Sequence, residues 1–197
     1  MSMERALDIL ALAAVVFWLA IPLFWIPVHL ATGFFRRIGL LTYVMPLLTW
    51  LPLAFAVFHF REPVLGVRFE MPLVVALAGV LLFVFGTLLH LWTGRLLSLR
   101  GIVGVPEVTA GEKGRLVTSR AFSVVRHPTY LAHTMMFLGV FFMTGVVAVG
   151  CVTLLDFVVV QTVIIPLEER ELVRRFGKEY EEYRRRVSKF FPDLRNR

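Results

Sequence analysis

Cysteine is almost absent from this chain, which carries one, Cys151, among 197 residues. A single cysteine excludes an intrachain disulfide and a cluster of cysteine metal ligands. The histidines show no metal-ligand spacing, and the glycines form no phosphate-binding loop pattern. The sequence therefore predicts no metal site.

Charged residues are also scarce, at 18% of the chain, whereas hydrophobic residues make up 58%. The core of a soluble domain of this length could not bury so much apolar surface. A formal charge of +7 would favour nucleic acid in a soluble protein, but here the basic residues flank apolar runs, as membrane orientation signals do. We predict an all-α integral membrane protein in the lipid bilayer, with one domain over residues 1–197 and no nucleic acid partner.

Apolar runs that could cross a bilayer follow one another along the chain. Since a span needs about 20 apolar residues, length and charge together predict about five transmembrane helices. Residues 1–97 hold three of them, and residues 98–197 hold a polar loop, two more spans and an amphipathic C-terminal helix. The expected spans cover about residues 6–30, 38–60, 71–97 and two helices within 130–167 that turn near Thr144 and Gly145.

The basic residues also predict an orientation. In this arrangement only Arg5, Arg61 and Arg68 of the 21 Lys and Arg residues fall on one side of the membrane. Because positive charge collects on the cytoplasmic side, the C-terminus and the long polar loop are predicted to be cytoplasmic in a cell-membrane protein.

One polar motif stands at the mouth of an apolar helix. Proline favours the first helical position, so Pro128 places His127 near the N-cap and leaves backbone N–H groups free for an anion. Arg126 would reinforce such a site, and Tyr130 could donate its hydroxyl one turn further on. The alternative is a basic interfacial cap with an ordinary proline start.

Carboxylates and histidines near the apolar runs have two interpretations each. Glu168 and Glu169 suit a helix N-terminal cap. Alternatively, they could form hydrogen bonds with an amino group or ribose hydroxyls, or accept a proton. Asp156, within a span, predicts a partner or a cavity unless it lies near the outer helix end. His90 and His133 are typical of histidines satisfied by packing.

Several short blocks of the second half of the chain occur together in order. With these blocks the chain resembles the isoprenylcysteine carboxyl methyltransferase family and its prokaryotic relatives, which are related to the phospholipid N-methyltransferases. The resemblance covers about residues 112–194 and departs from the family pattern at Arg120 and Phe122, and at Ala132 and His133 where a glycine is usual. The blocks are Leu116-Val117-Thr118, Arg126-His127-Pro128-Thr129-Tyr130, Glu168-Glu169-Arg170-Glu171-Leu172, Phe176-Gly177 and Tyr180 to Tyr183.

This resemblance implies a membrane methyltransferase that uses S-adenosyl-L-methionine (SAM). His127 and Tyr130, with the backbone around Pro128, would bind the methionyl end of the cofactor. Leu116 and Val117 would lie against its adenosyl part.

The remaining implied roles fall on charged and tyrosine side chains. Glu168 and Glu169 would close the pocket and bind polar groups of the cofactor, and Arg126 and the tail tyrosines, Tyr180 among them, would shape a lid. Arg126, Glu168 and Glu169 are therefore the candidate catalytic residues.

The resemblance leaves the methyl acceptor open. A lipid-like acceptor, such as an isoprenylcysteine carboxylate or another lipophilic or prenylated compound in the membrane, is the leading hypothesis. Phospholipid amines and small thiols are alternatives. Two further hypotheses concern other functions. One is an NADPH-dependent enzyme like the sterol reductases, which resemble the same C-terminal block, and the other is a non-enzymatic lipid-binding protein.

Overall fold

The computed structural model describes residues 2–192. For Ala20 it describes the backbone only. In that range the chain is all-α, as predicted, and its extended pairing is limited to one bridge between Arg68 and Val146. Short 3-10 turns cover Gly39–Tyr43 and Arg120–Ser123, and a π-helical stretch covers Val160–Ile164. The helices are α1 Met3–Leu30, α2 Thr32–Ile38, α3 Val44–His59, α4 Arg61–Gly66, α5 Leu73–Ile102, α6 Val105–Val108, α7 Pro128–Thr144, α8 Val147–Val159, α9 Ile165–Phe176 and α10 Lys178–Arg186.

Four helical segments of the described range are long and apolar enough to cross a membrane: Met3–Leu30, Thr32–His59, Leu73–Val108 and Val147–Phe176. Their apolar side chains point outward, as in Leu48 and Leu73, which are 71% and 74% exposed. Such surface requires lipid, so an integral membrane protein is confirmed. With 17 residues, α7 is shorter than a full span, and the count of five stays a prediction.

Glycines bring α5 and α7 into direct backbone contact. A Cβ atom at Gly79 would lie 2.8 Å from the carbonyl oxygen of Gly139, and one at Gly139 would lie 2.7 Å from that of Gly79. Further along, a Cβ at Gly86 would lie 2.9 Å from the carbonyl oxygen of Ala132. Small residues allow this approach between membrane helices, and they fix which face of α7 meets α5.

The chain reverses between α7 and α8 at the position predicted from sequence. Gly145 adopts φ +65, where a side chain would overlap the carbonyl oxygen of Phe69. The Phe69 N–H donates to the carbonyl oxygen of Gly145 at 2.9 Å, and the Val147 N–H donates to that of Val67 at 3.0 Å. The α4–α5 connection therefore holds the turn of the α7–α8 hairpin.

The C-terminal region differs from the single amphipathic helix that its periodicity predicts. Gly177, at φ 60 and ψ −132, ends α9 and begins the separate helix α10. Its N–H bonds back to Val173 at 2.8 Å, as at a glycine C-cap. Tyr180 and Tyr183 are both buried, so the apolar face of α10 packs on the protein itself. The cytoplasmic location of α10 stays a prediction.

Candidate functional site

A cavity of about 850 Å³ lies at the N-terminal end of α7. That volume is within the range of about 300–1,000 Å³ typical of small-molecule sites. Its walls come from α1, α5, the polar segment between α5 and α7, α9 and α10. Ser98 contributes by leaving helical geometry inside α5, at φ 65 and ψ 165. The predicted site residues in the lining are Leu116, Val117, Arg126, His127, Tyr130, Glu168 and Tyr180.

The start of α7 has the predicted geometry. His127 is the N-cap and Pro128 is the first helical residue, buried beneath the cavity wall rather than in its lining. The first N–H of the helical ladder belongs to Leu131, which donates to the His127 carbonyl oxygen at 3.2 Å. The N–H groups of Thr129 and Tyr130 precede that ladder, at the positive end of the helix dipole.

The chain after α10 returns to this helix start. The N–H of Arg126 donates to the carbonyl oxygen of Ser188 at 2.8 Å, and that of His127 donates to Lys189 at 3.2 Å. Tyr183 adds a buried hydrogen bond, with its hydroxyl 2.7 Å from the carbonyl oxygen of Phe122. The C-terminal segment therefore holds the rim of the cavity in place.

Glu169 lies behind the cavity wall and joins three elements. One of its carboxylate oxygens, Oε1, accepts from Arg126 Nε at 3.1 Å, Arg126 Nη2 at 2.9 Å and His127 Nε2 at 3.1 Å. Arg184 Nη1 lies 3.9 Å from the other oxygen. Arg126 also donates to the carbonyl oxygens of Arg184 and Val187. Glu169 is therefore paired within the protein and lies outside the cavity lining, and its predicted role at the cofactor stays a prediction.

Glu168, the next residue, is placed differently because it lines the cavity. Its Oε2 is 3.7 Å from His127 Nδ1 and has no hydrogen-bond partner among the described residues. Buried polar atoms normally have hydrogen-bond partners, so a carboxylate oxygen without one at a cavity wall indicates that a bound ligand supplies the donor.

Two hydroxyl groups at the same wall are also open. Thr129 Oγ1 and Tyr180 Oη are buried without a partner in the described part of the chain. Burial raises the pKa of the Tyr180 hydroxyl, and the negative charges of Glu169 and Glu168 raise it further. Tyr180 is therefore a neutral hydroxyl that can donate to a bound group.

A second ion cluster, which the sequence reasoning missed, contributes Glu107 and Arg175 to the cavity lining. Arg175 Nη2 lies 2.8 Å from Glu107 Oε1 and 3.4 Å from Glu171 Oε2. Arg36 Nη2 binds Glu171 Oε1 at 3.0 Å. This cluster ties α2 and α6 to α9. The i, i+4 spacing of Glu171 and Arg175 was the only local signal for it.

The apolar part of the cavity includes Leu116 and Val117, with Trp25 and Leu172. Trp25 stacks on His29 with ring centroids 5.3 Å apart. A flat aromatic group would find its apolar surface here. Asp156, in contrast, is buried on α8 away from this lining, and neither of its oxygens has a partner among the described residues.

Comparison with known proteins identifies the family. The family described as phospholipid methyltransferase matches residues 74–179, which run from α5 into α10 and include most of the cavity wall. The chain belongs to the phospholipid methyltransferase family. The kinship with membrane methyltransferases that the sequence motifs predict is thereby confirmed.

Individual relatives cover parts of the chain. A cobalt-zinc-cadmium resistance protein, CzcN of Cupriavidus metallidurans, is 37% identical over 52% of this chain and 52% of its own length. A nickel-cobalt-cadmium resistance protein, NccN of Alcaligenes xylosoxydans, is 31% identical over 52% of this chain and 53% of its own. Methanethiol S-methyltransferase 1 of Bradyrhizobium diazoefficiens is 31% identical over 73% of this chain and 48% of its own. The chain thus spans about half the length of these relatives.

Proposed function

We propose that this protein is a SAM-dependent membrane methyltransferase acting on a lipid-like acceptor. The observation that carries the proposal is the cavity at the start of α7. There one oxygen of Glu168, the hydroxyls of Thr129 and Tyr180 and the first backbone N–H groups of α7, all without a hydrogen-bond partner among the described residues, meet an apolar wall. Membership of a methyltransferase family supports the same reaction type.

The groups of the cavity match the parts of SAM one by one. A carboxylate suits the N–H groups of Thr129 and Tyr130 at the dipole end of α7. An ammonium group suits the open oxygen of Glu168, and an adenine ring suits Leu116 and Val117. The residues present therefore fit this cofactor.

When bound, SAM supplies an electrophilic methyl group on a positively charged sulfur, and its in-line displacement needs no covalent enzyme intermediate. The work left to the protein is positioning and electrostatic stabilisation. Glu169 holds Arg126 and His127 at the cavity rim, and Glu168 adds negative charge at the lining. Tyr180 and Tyr183 keep α10 over the site, which excludes water.

The acceptor is proposed to enter from the lipid between helices. The family name favours a phospholipid amine as one form of it, and a relative that matches 73% of this chain, a methanethiol S-methyltransferase, favours a thiol as the second candidate.

Cofactor choice separates methyl transfer from the other hypotheses. Calorimetry on the detergent-purified protein should give binding of SAM and of its demethylated product, S-adenosylhomocysteine, and none of NADPH. Glu168→Gln should weaken SAM binding, whereas Glu182→Gln, on the exposed side of α10, should leave it unchanged. Binding of NADPH without SAM would make the protein reductase-like, and binding of neither would favour a non-enzymatic lipid-binding role.

A further inference from the structure

Two histidines face each other in the inner part of the cavity. His90 on α5 and His133 on α7 have ring centroids 4.7 Å apart and planes tilted by 38°. Both line the cavity, and Nδ1 of each is buried without a hydrogen-bond partner among the described residues. Packing therefore does not satisfy them, contrary to the interpretation from sequence.

The pair follows from the close approach of the two helices. Gly86 lies one turn before His90, and its missing side chain lets α5 touch the backbone of α7 at Ala132, next to His133. Two imidazolium ions at this separation would repel strongly in an apolar site. The pair can therefore hold one proton and keep a nitrogen lone pair for another group.

The pair is connected to the cavity mouth along one face of α7. His127, Tyr130 and His133 recur at steps of three, with centroid distances of 5.9 Å from His127 to Tyr130 and 6.4 Å from Tyr130 to His133. At 1.5 Å rise per residue, His133 lies about 9 Å deeper than His127 along the helix axis. At the mouth, His127 meets Glu168 at 3.7 Å.

We propose that His133, paired with His90, accepts the proton that the methyl acceptor loses. This inference rests on the proposed function and concerns acceptors with an S–H or N–H bond, since an ionised carboxylate has no proton to give. The acceptor's S–H or N–H bond breaks, its electron pair stays on sulfur or nitrogen to bond the methyl carbon, and the proton bonds to Nδ1 of His133. The C–S electron pair of the sulfonium stays on its sulfur.

The proton then leaves through the cavity, whose lining continues past Tyr130 and His127 to Glu168. Both rings lie between the pair and Glu168, and all of these residues line the same cavity. In this arrangement His133 is a catalytic residue that touches the acceptor, and His90 is a positioning residue that shares the proton.

The first test uses a series of thiols with equal carbon number and decreasing thiol pKa. His133→Phe and the more conservative His133→Gln should lower kcat about 100-fold or more with an alkanethiol, as expected for loss of a general base. For thiols that are already ionised at the assay pH, kcat of the variants should approach that of the wild type. His59→Gln, on the exposed end of α3, is the control and should match the wild type.

The second test needs no turnover. With S-adenosylhomocysteine bound, an alkanethiol should show thiolate ultraviolet absorbance in the wild type and in His59→Gln, and much less in either His133 variant. His90→Phe should reduce the same signal. Equal losses across the thiol series, or an unchanged thiolate signal in the His133 variants, would overturn the inference.

The experiments distinguish failure of the His133 assignment from failure of the proposed SAM-dependent function. Both His133 variants should bind SAM as the wild type does, because the cofactor groups assigned above lie nearer the mouth. A wild type that transfers methyl groups to carboxylates but to no thiol or amine would overturn the histidine assignment alone. A wild type that binds no SAM would overturn the proposed function and this inference with it.

Discussion

Replacing Glu169 by glutamine should loosen the joint between α7, α9 and α10, whereas the same change at Glu168 should act on the ligand alone. The two carboxylates are neighbours in sequence, but Glu169 accepts from Arg126 and His127, and Oε2 of Glu168 accepts from no described residue. The pair therefore provides a matched comparison at one turn of one helix.

The magnitude follows from the bonds that each side chain makes. Hydrogen bonds to charged groups contribute about 1.5–3 kcal/mol, and truncating one partner of a buried ion pair costs up to about 3–5 kcal/mol. The side chains of Arg126 and Glu169 retain 10% and 13% exposure, and Arg126 keeps the carbonyl oxygens of Arg184 and Val187 as acceptors. We expect Glu169→Gln to lower the unfolding free energy by about 1–3 kcal/mol.

For Glu168→Gln the unfolding free energy should change less than for Glu169→Gln, because Oε2 of Glu168 accepts no hydrogen bond from a described residue and lies 3.7 Å from its neighbour His127 Nδ1. The effect of Glu168→Gln should appear in SAM binding. Loss of one charge-assisted hydrogen bond to an ammonium group costs about 1.5–3 kcal/mol, which lowers the affinity for SAM about 10- to 100-fold. Thermal unfolding in detergent, with and without SAM, and calorimetry measure the two effects separately. If Glu168→Gln were the less stable variant, or Glu169→Gln left stability unchanged, the division of roles would be refuted.

Three further outcomes are expected. Reporter fusions after Arg197 and within residues 62–70 should report opposite sides of the membrane, and finding both on one side would defeat the five-span topology. Gly139→Ala should destabilise the fold by about 1–3 kcal/mol through overpacking against Gly79, whereas Gly33→Ala, with no atom within 4 Å of the added carbon, should be neutral in the same thermal unfolding assay. His127→Ala should weaken SAM binding in calorimetry by about 1–3 kcal/mol without unfolding the protein, and unchanged affinity would mean that the motif has another role.

Local rules predicted the elements that depend on local sequence. Apolar length gave the membrane helices, and the proline start of α7 and the turn at Gly145 lie where they were expected. The break at Gly177 was missed because the periodicity of Tyr180 and Tyr183 continues through it, although a glycine between two helical patterns is a C-cap signal.

The ion pairs and ring contacts around the cavity could not be predicted from sequence spacing. Arg126 and Glu169 are 43 residues apart, and Arg36 and Glu171 are 135 apart, so no spacing rule joins them. Which helix faces meet is decided by small residues on α5 and α7, and those also bring His90 to His133. The family resemblance identified seven residues of the lining but assigned no role to either histidine.

The route of the acceptor can be tested through its hydrocarbon tail. The polar groups of the site collect at the start of α7, while the outward faces of α3 and α5 are apolar, as in Phe55 and Leu81 at 70% and 59% exposure. An acceptor dissolved in the bilayer can keep its chain among such surfaces and bring only its head to the level of His133. Each methylene buried in this way should improve kcat/KM by up to about 0.8 kcal/mol, or roughly fourfold, until the chain leaves the protein. A series of acceptors with one head group and increasing chain length, with rates referred to the free concentration of each acceptor in water, measures this slope. If a short water-soluble thiol is methylated as efficiently as its long-chain analogue, lateral entry is wrong and a small-thiol methyltransferase is the better description of the site.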